Sequence, residues 1–269
     1  MIRLLKIEFH KISANRAFKV MATIYLVAIA AISMGVMPFL QWVKRKFAEF
    51  DAEELDPTML PFYEFPDIWQ NLTSIAIYFK VLLALSLVYA ITNEYTYRTI
   101  RQNVIDGLSK HEFIWSKIIM AGFLSLASTL TLFVFGMITG LMYSYDTSIS
   151  VIFEDIFFLG AFFLQLFAYL LFTQMLATLI RKPLLTMGLM FFLACTELGF
   201  FIWSEVHQEY WVQNFLPLTS INSLIHLPFP KYAFQEIQDY ISLKELGLVI
   251  VYGVLFYLGT VRLTVKRDL

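Results

Sequence analysis

Residues that carry chemistry are scarce in this sequence. Cys195 is the only cysteine in 269 residues, which excludes an intrachain disulfide and a cysteine-ligated metal centre. It lies inside an apolar run and reads as a small packing residue. The four histidines, His10, His111, His207 and His226, all fall outside the long apolar runs. His111-Glu112 begins like a zinc-protease motif, but Trp115 stands where the second imidazole is required. No glycine is followed by lysine, so the chain has no phosphate-cradling Walker loop, and any ATP hydrolysis must come from another polypeptide. Charge is thin as well: 15% of residues are charged and the net charge is -1. A nucleic-acid binder needs a surplus of lysine and arginine to displace counterions, so that class is disfavoured.

What fills the sequence instead is apolar: 59% of residues are hydrophobic and the mean hydropathy is +0.68. These values describe an integral membrane protein, and the length of its apolar runs makes the expected fold all-α. Runs long enough to cross a bilayer, about 20 residues each, occur at 19-41, 70-92, 114-143, 156-180, 184-203 and 245-263. Ahead of them, residues 1-18 read as an interfacial amphipathic helix, with Ile2, Leu5, Phe9 and Ile12 on one face and Arg3, Lys6, His10 and Lys11 around the others. Ala28-Ile29-Ala30 faintly resembles a signal-peptidase site, but the apolar run continues to Leu40, which favours a retained span. With both termini inside, the inner segments hold fourteen lysines and arginines and the outer segments five. That bias sets the orientation, both termini cytoplasmic. Lys44-Arg45-Lys46 is a local exception, explained if the first helix continues past Trp42 into the outer medium.

Residues 93-117 form the one polar stretch between apolar runs that is also periodic. Tyr97, Ile100, Val104 and Leu108 make a stripe, with Arg98, Arg101, Gln102 and Asp106 away from it, the pattern of an amphipathic helix at a membrane surface or against a partner. Asn93 can cap its start, Glu94 complements the dipole, and Gly107 can end it. A solvated helix joining two spans has the same pattern. The order Glu94, Thr99, Ser109 with Lys110, then Lys117 resembles the first cytoplasmic loop of ABC-2 type transporter permeases, and Asn93 to Gln102 looks like the variant common in the Bacteroidetes group. Where that family often has glycine before the threonine and Pro-x-Ser-Arg in the turn, this chain has Arg98 and Gly107-Leu108-Ser109-Lys110. The resemblance implies a single domain over residues 1-269 with six spans, similar to type V exporters, and a coupling helix at 93-113. It also implies two copies of a separate ATPase that binds ATP and Mg, and a second permease copy, a homodimer or a related heterodimer. The implied location is the bacterial cytoplasmic (inner) membrane. The residues so assigned to ATPase coupling are Glu94, Tyr97, Arg98, Thr99, Ile100, Arg101, Val104, Asp106, Leu108, Ser109, Lys110 and Lys117.

Two ionisable residues lie within spans, Lys80 in the second and Glu197 in the fifth. Each is costly against lipid, so each should face a cavity, a partner or the other, and both are pathway candidates. A lysine snorkelling to the surface and a locally bonded glutamate form the plainer reading. Gly136 and Gly140 in the third span permit close helix approach, read here as packing within the chain. The acidic, proline-broken residues 47-68 read as a solvated cap. Residues 204-243 resemble the short helices that dip into the outer leaflet before the last span of ABC-2 permeases; an amphipathic surface helix is the alternative. The sequence thus predicts the permease subunit of an ABC exporter, with no catalytic site of its own. A non-transporting membrane anchor that recruits a cytoplasmic partner is the alternative, and a membrane-embedded enzyme is disfavoured for want of a catalytic constellation.

Overall fold

A computed structural model describes residues 15–48, 60–97, 99, 109–228 and 238–266. The amphipathic segment 1–14 and most of the 98–108 stretch, including Arg98, Ile100, Arg101, Val104, Asp106 and Leu108, lie outside these residues. Within them, six helices are long and apolar enough to cross a membrane. Span 1 is α1 (Arg16–Ala48). Span 2 is α2 (Ile68–Ala76) continued through a 3-10 turn, Ile77–Phe79, into α3 (Lys80–Thr96). Span 3 is α4 (Lys110–Tyr143). Span 4 runs from α5 (Ile149–Phe153) into α6 (Phe157–Ile180). Span 5 is α7 (Pro183–His207). A 3-10 helix (Tyr210–Phe215) and the short α8 (Pro217–Asn222) precede span 6, α9 (Leu243–Lys266).

Several boundaries differ from the apolar runs because polar residues at the ends cap and extend the helices. Asn15 accepts the amide N–H groups of Ala17 (3.0 Å) and Phe18 (3.3 Å), so span 1 begins at Arg16 and residues 16–18 belong to it, not to an interfacial helix. The same helix runs past Trp42 through Lys44, Arg45 and Lys46. His111 and His207 fall in the first turn of span 3 and the last turn of span 5. Cys195 is exposed on span 5 and is not a packing residue. The stripe that span 5 buries is Thr186, Met190, Glu197 and Ser204, and Cys195 lies off it.

Span 4 is the hub, packed against spans 2, 3, 5 and 6. In its most apolar window 67% of residues are buried, against 17% for spans 1 and 5, so those two helices form the periphery. The chain connects the spans alternately at two ends. Among the described residues, Arg16, Lys19, Lys110, Lys117, Arg181, Lys182 and Arg262 mark one, here the basic end. At the opposite end, the segment before span 2 folds back as a plug of aromatic side chains. Phe62, Tyr63 and Phe65 are buried there, and the Phe65–Pro66 peptide is cis. Gly140 and Gly136 receive this plug. A Cβ at Gly140 would collide with the Phe65 ring, and one at Gly136 would lie 2.9 Å from Trp69. The glycine face is therefore packed within the chain. Trp69 also stacks on Phe133 and donates its indole N–H to the Ile152 carbonyl at 2.7 Å, tying spans 2, 3 and 4 together.

Candidate functional site

Two groups of buried polar side chains stand out in this apolar bundle. The first lies at the basic end. Glu94 and Lys117, at the end of span 2 and near the start of span 3, are 8% and 3% exposed, and Lys117 Nζ donates to Glu94 Oε1 at 2.7 Å. Glu94 is part of the last turn of span 2, and so is Asn93. Asn93 therefore does not cap a separate helix. Thr92 and Thr96 donate their hydroxyls to the carbonyls of Val88 and Thr92, which satisfies these polar side chains within the helix, and the ion pair does the same for Glu94. Tyr97 closes the span and is highly exposed; Thr99 is exposed too.

Ser109 caps span 3. Its hydroxyl accepts the Glu112 N–H at 3.1 Å while Glu112 Oε2 accepts the Ser109 N–H at 2.8 Å, a reciprocal capping box. Residues 93–96 and 110–113 thus belong to spans 2 and 3, and a separate helix over the whole of 93–113 is excluded. Lys110 donates to the carbonyl of Val265 at 3.3 Å, bringing the end of span 6 beside the start of span 3. Arg181, in the two-residue turn between spans 4 and 5, takes a left-handed backbone (φ 61°), because Lys182 before Pro183 must stay extended. Its guanidinium lies 4.8 Å above the Tyr95 ring, and its Nε and one Nη are enclosed without a hydrogen bond. In the sequence neither Arg181 nor Tyr95 carries a signal of this contact, since Arg181 lies in a short connector and Tyr95 falls off the Tyr97, Ile100, Val104 and Leu108 stripe. The Ser-x-x-Glu spacing at 109–112 was visible and marks the cap.

The second group surrounds α8. Lys80 lies twelve residues from the start of span 2 and Glu197 ten from the end of span 5, about 18 and 15 Å along their helices. Both are 8% exposed, and neither makes an ion pair with the other. Lys80 donates to Asn222 Oδ1 and sits 4.6 Å above the Tyr169 ring. Glu197 Oε2 accepts the Thr219 N–H at 2.9 Å and its hydroxyl at 3.3 Å. Gln165 of span 4 donates to the Asn222 carbonyl at 3.3 Å, and Tyr252 of span 6 donates to the Asn214 carbonyl at 2.8 Å. Polar side chains of four spans therefore converge on one folded-back segment, Asn214 to Asn222. Leu218, Ile221, Leu224 and Ile225 bury its apolar side. Thr219, Asn222 and Gln165 could not be singled out in the sequence, because uncharged polar residues in a connector or a span carry no periodic signal.

Gln70, at the start of span 2, donates to the carbonyls of His226 and Gln238, both at 3.2 Å. His226 Nε2 lies 3.0 Å from Glu245 Oε1, fixing the chain where span 6 begins. An apolar cleft of about 340 Å³ opens between spans 3, 4 and 6, lined among others by Trp115, Phe167, Leu171, Gly253 and Tyr257. Its walls are carbon, so it offers shape without charge.

Residues 4–197 match the family model of the ABC-2 family transporter proteins. No curated protein matches the chain.

Proposed function

The chain belongs to the ABC-2 family of transporter membrane proteins, and from that premise we propose that this permease subunit of an ABC transporter couples ATP hydrolysis on a separate ATPase to export across the cytoplasmic membrane. Family membership implies an ABC ATPase partner. Two ATPase copies, holding the ATP and Mg that drive the cycle, and a second permease copy complete the proposed assembly. Spans 1 and 5, the least buried helices, are where the second copy would pack. In this reading both termini and the basic end face the cytoplasm, as the lysine and arginine bias favours.

One observation supports coupling above the others: the Glu94–Lys117 ion pair joins the last turn of span 2 to the first turns of span 3. A segment whose two ends are clamped together cannot be pushed without moving both helices. The chain between Glu94 and Lys117 begins and ends at that clamp, so force delivered to it passes into spans 2 and 3. Tyr97, Ile100, Val104 and Leu108 would anchor in a groove of the ATPase, with Arg98, Arg101 and Asp106 at its rim. Thr99, Ser109 and Lys110 would set the ends of the docking segment. Lys80 and Glu197 would line the pathway.

The test is copurification of the complex, with ATPase activity measured for the wild type and for Val104→Glu. The substitution places a charge in the anchoring stripe and is expected to detach or uncouple the ATPase while the permease still inserts. Normal binding and transport in that variant would remove the stripe from the interface. Stable copurification without transport in the wild type would favour an anchoring role.

A further inference from the structure

Lys80 and Glu197 pose an energetic question that the permease reading does not answer. Each charge is buried, each is satisfied by uncharged groups of the same short helix, and neither meets the opposite charge. A buried ammonium or carboxylate is ordinarily paired with a counter-charge, because neutral dipoles offset only part of the desolvation cost. Here the counter-charge belongs to the same site, the two groups being bound to α8 at residues three apart, yet α8 takes both contacts. The fit around α8 is also incomplete: Gln165 donates to Asn222 while its own Oε1, fully enclosed, has no hydrogen-bond partner.

The segment itself is easily released. α8 has six residues, too few for a helix to persist unaided. Its amide and carbonyl groups are held from outside by Lys80, Gln165 and Glu197, and Tyr252 holds the Asn214 carbonyl in the 3-10 helix just before it. Both side-chain partners of the charges are on α8 at Thr219 and Asn222, one helical turn apart, so a single displacement frees both charges together. The helix cannot leave without leaving Lys80 and Glu197 unsatisfied, unless they satisfy each other.

We infer that α8 is a latch with two states: docked, with Lys80 on Asn222 and Glu197 on Thr219, and released, with Lys80 and Glu197 paired to each other. The inference rests on the permease reading for its trigger, since the cycle of the ATPase would supply the displacement. Partner exchange keeps the released state affordable, because two charges that would otherwise be orphaned become one ion pair. It also explains why one cation and one anion are present rather than two neutral residues. Two amides could hold α8 equally well, but nothing would then favour its release.

The experiment labels a cysteine on the latch. Ser220 is 2% exposed and donates to the carbonyls of Gln213 and Asn214, so Ser220→Cys in a Cys195→Ser background is a small change that leaves both charges in place. The purified complex with its ATPase is treated with a water-soluble thiol reagent, first without nucleotide and then after trapping with ATP and vanadate. Slow labelling without nucleotide, rising about tenfold on trapping, is expected if a minor released state becomes the major one. Equal labelling in the two states of a complex that retains nucleotide would overturn the latch. Retained nucleotide is measured separately and reports on the permease reading alone.

A second arm needs no nucleotide. Lys80→Met with Glu197→Gln, in the same cysteine background, should raise labelling of the resting protein, because both docking contacts are weakened. Unchanged protection would overturn the docking role of the charges. In the trapped state, the effects of the two single substitutions should be non-additive by about tenfold, the signature of residues that touch. Strict additivity would overturn partner exchange.

Discussion

The two ends of α3, the longer helix of span 2, carry the same chemistry in two different arrangements. Near the basic end, Glu94 meets Lys117 directly at 2.7 Å. Farther along the same helix, Lys80 is bound to an amide, and the carboxylate that could have met it is bound to a threonine. A direct buried pair is a fixed joint. Separating it strands two charges in a medium of low dielectric, so spans 2 and 3 move as one body at that level. Charges held by neutral groups have a better partner in reserve, and such contacts can be traded. The first arrangement transmits force and the second permits change, which is the division of labour that the proposed permease, driven from one side, requires.

The largest expected effect breaks the fixed joint. Lys117→Met leaves the Glu94 carboxylate buried beside a thioether, and removing one partner of a buried pair costs about 3–5 kcal/mol. Thermal unfolding of the purified protein should show a large loss of stability. The double substitution with Glu94→Gln should recover much of it, because no charge is then stranded. A single variant as stable as the wild type would mean that the pair is solvated and the joint is loose, and the contrast between the two arrangements would fail.

How much of this was legible in the sequence follows from which forces leave a pattern. Hydrocarbon thickness demands long apolar runs, so the six spans were readable from hydropathy alone, and the stretch from Glu94 to Lys117 gave the family. Lys80 and Glu197 stood out because charge is rare inside a span. Their partners did not. Thr219 and Asn222 sit in a connector and Gln165 in a span, residue types found anywhere. Their importance comes from a chain reversal at Gln208, where the backbone is left-handed (φ 58°), and from the burial of Leu218 and Ile221. The ends of the helices were misjudged for a related reason. Asn15 and Ser109 cap spans through local hydrogen bonds, and the Glu94–Lys117 pair lets span 2 run on through a buried charge, neither of which an apolar window weighs.

A middle-sized effect tests the rigid part of the opposite end, against which α8 would have to move. Gly140→Ala drives a methyl group into Phe65, and Phe65 belongs to the aromatic plug that seats Trp69. Overpacking of this kind costs about 1–3 kcal/mol. Gly160 in span 4 has open space where a Cβ would go, so Gly160→Ala should be neutral or gain up to about 1 kcal/mol from helix propensity. Matched unfolding curves for the two variants separate packing from propensity. Equal behaviour would show that the plug yields, and the opposite end would then lack a fixed frame.

The smallest expected effect sharpens the comparison at the basic end, where the fixed joint and the cap lie eight residues apart on span 3. Ser109 holds the first turn of the span, and Lys117 holds it two turns later. If the joint alone fixes span 3, the cap contributes only local order. Ser109→Ala removes the acceptor of the Glu112 N–H and should cost about 1 kcal/mol, the usual value of a lost N-cap. Ser109→Thr keeps a hydroxyl at the position and should restore most of the loss. Hydrogen exchange distinguishes the two roles: faster exchange confined to the amides of residues 110–113 is expected, with the turns around Lys117 unchanged. Acceleration that spreads past Lys117 would show that the cap and the ion pair act as one unit, and that the fixed joint extends to the first residue of the span.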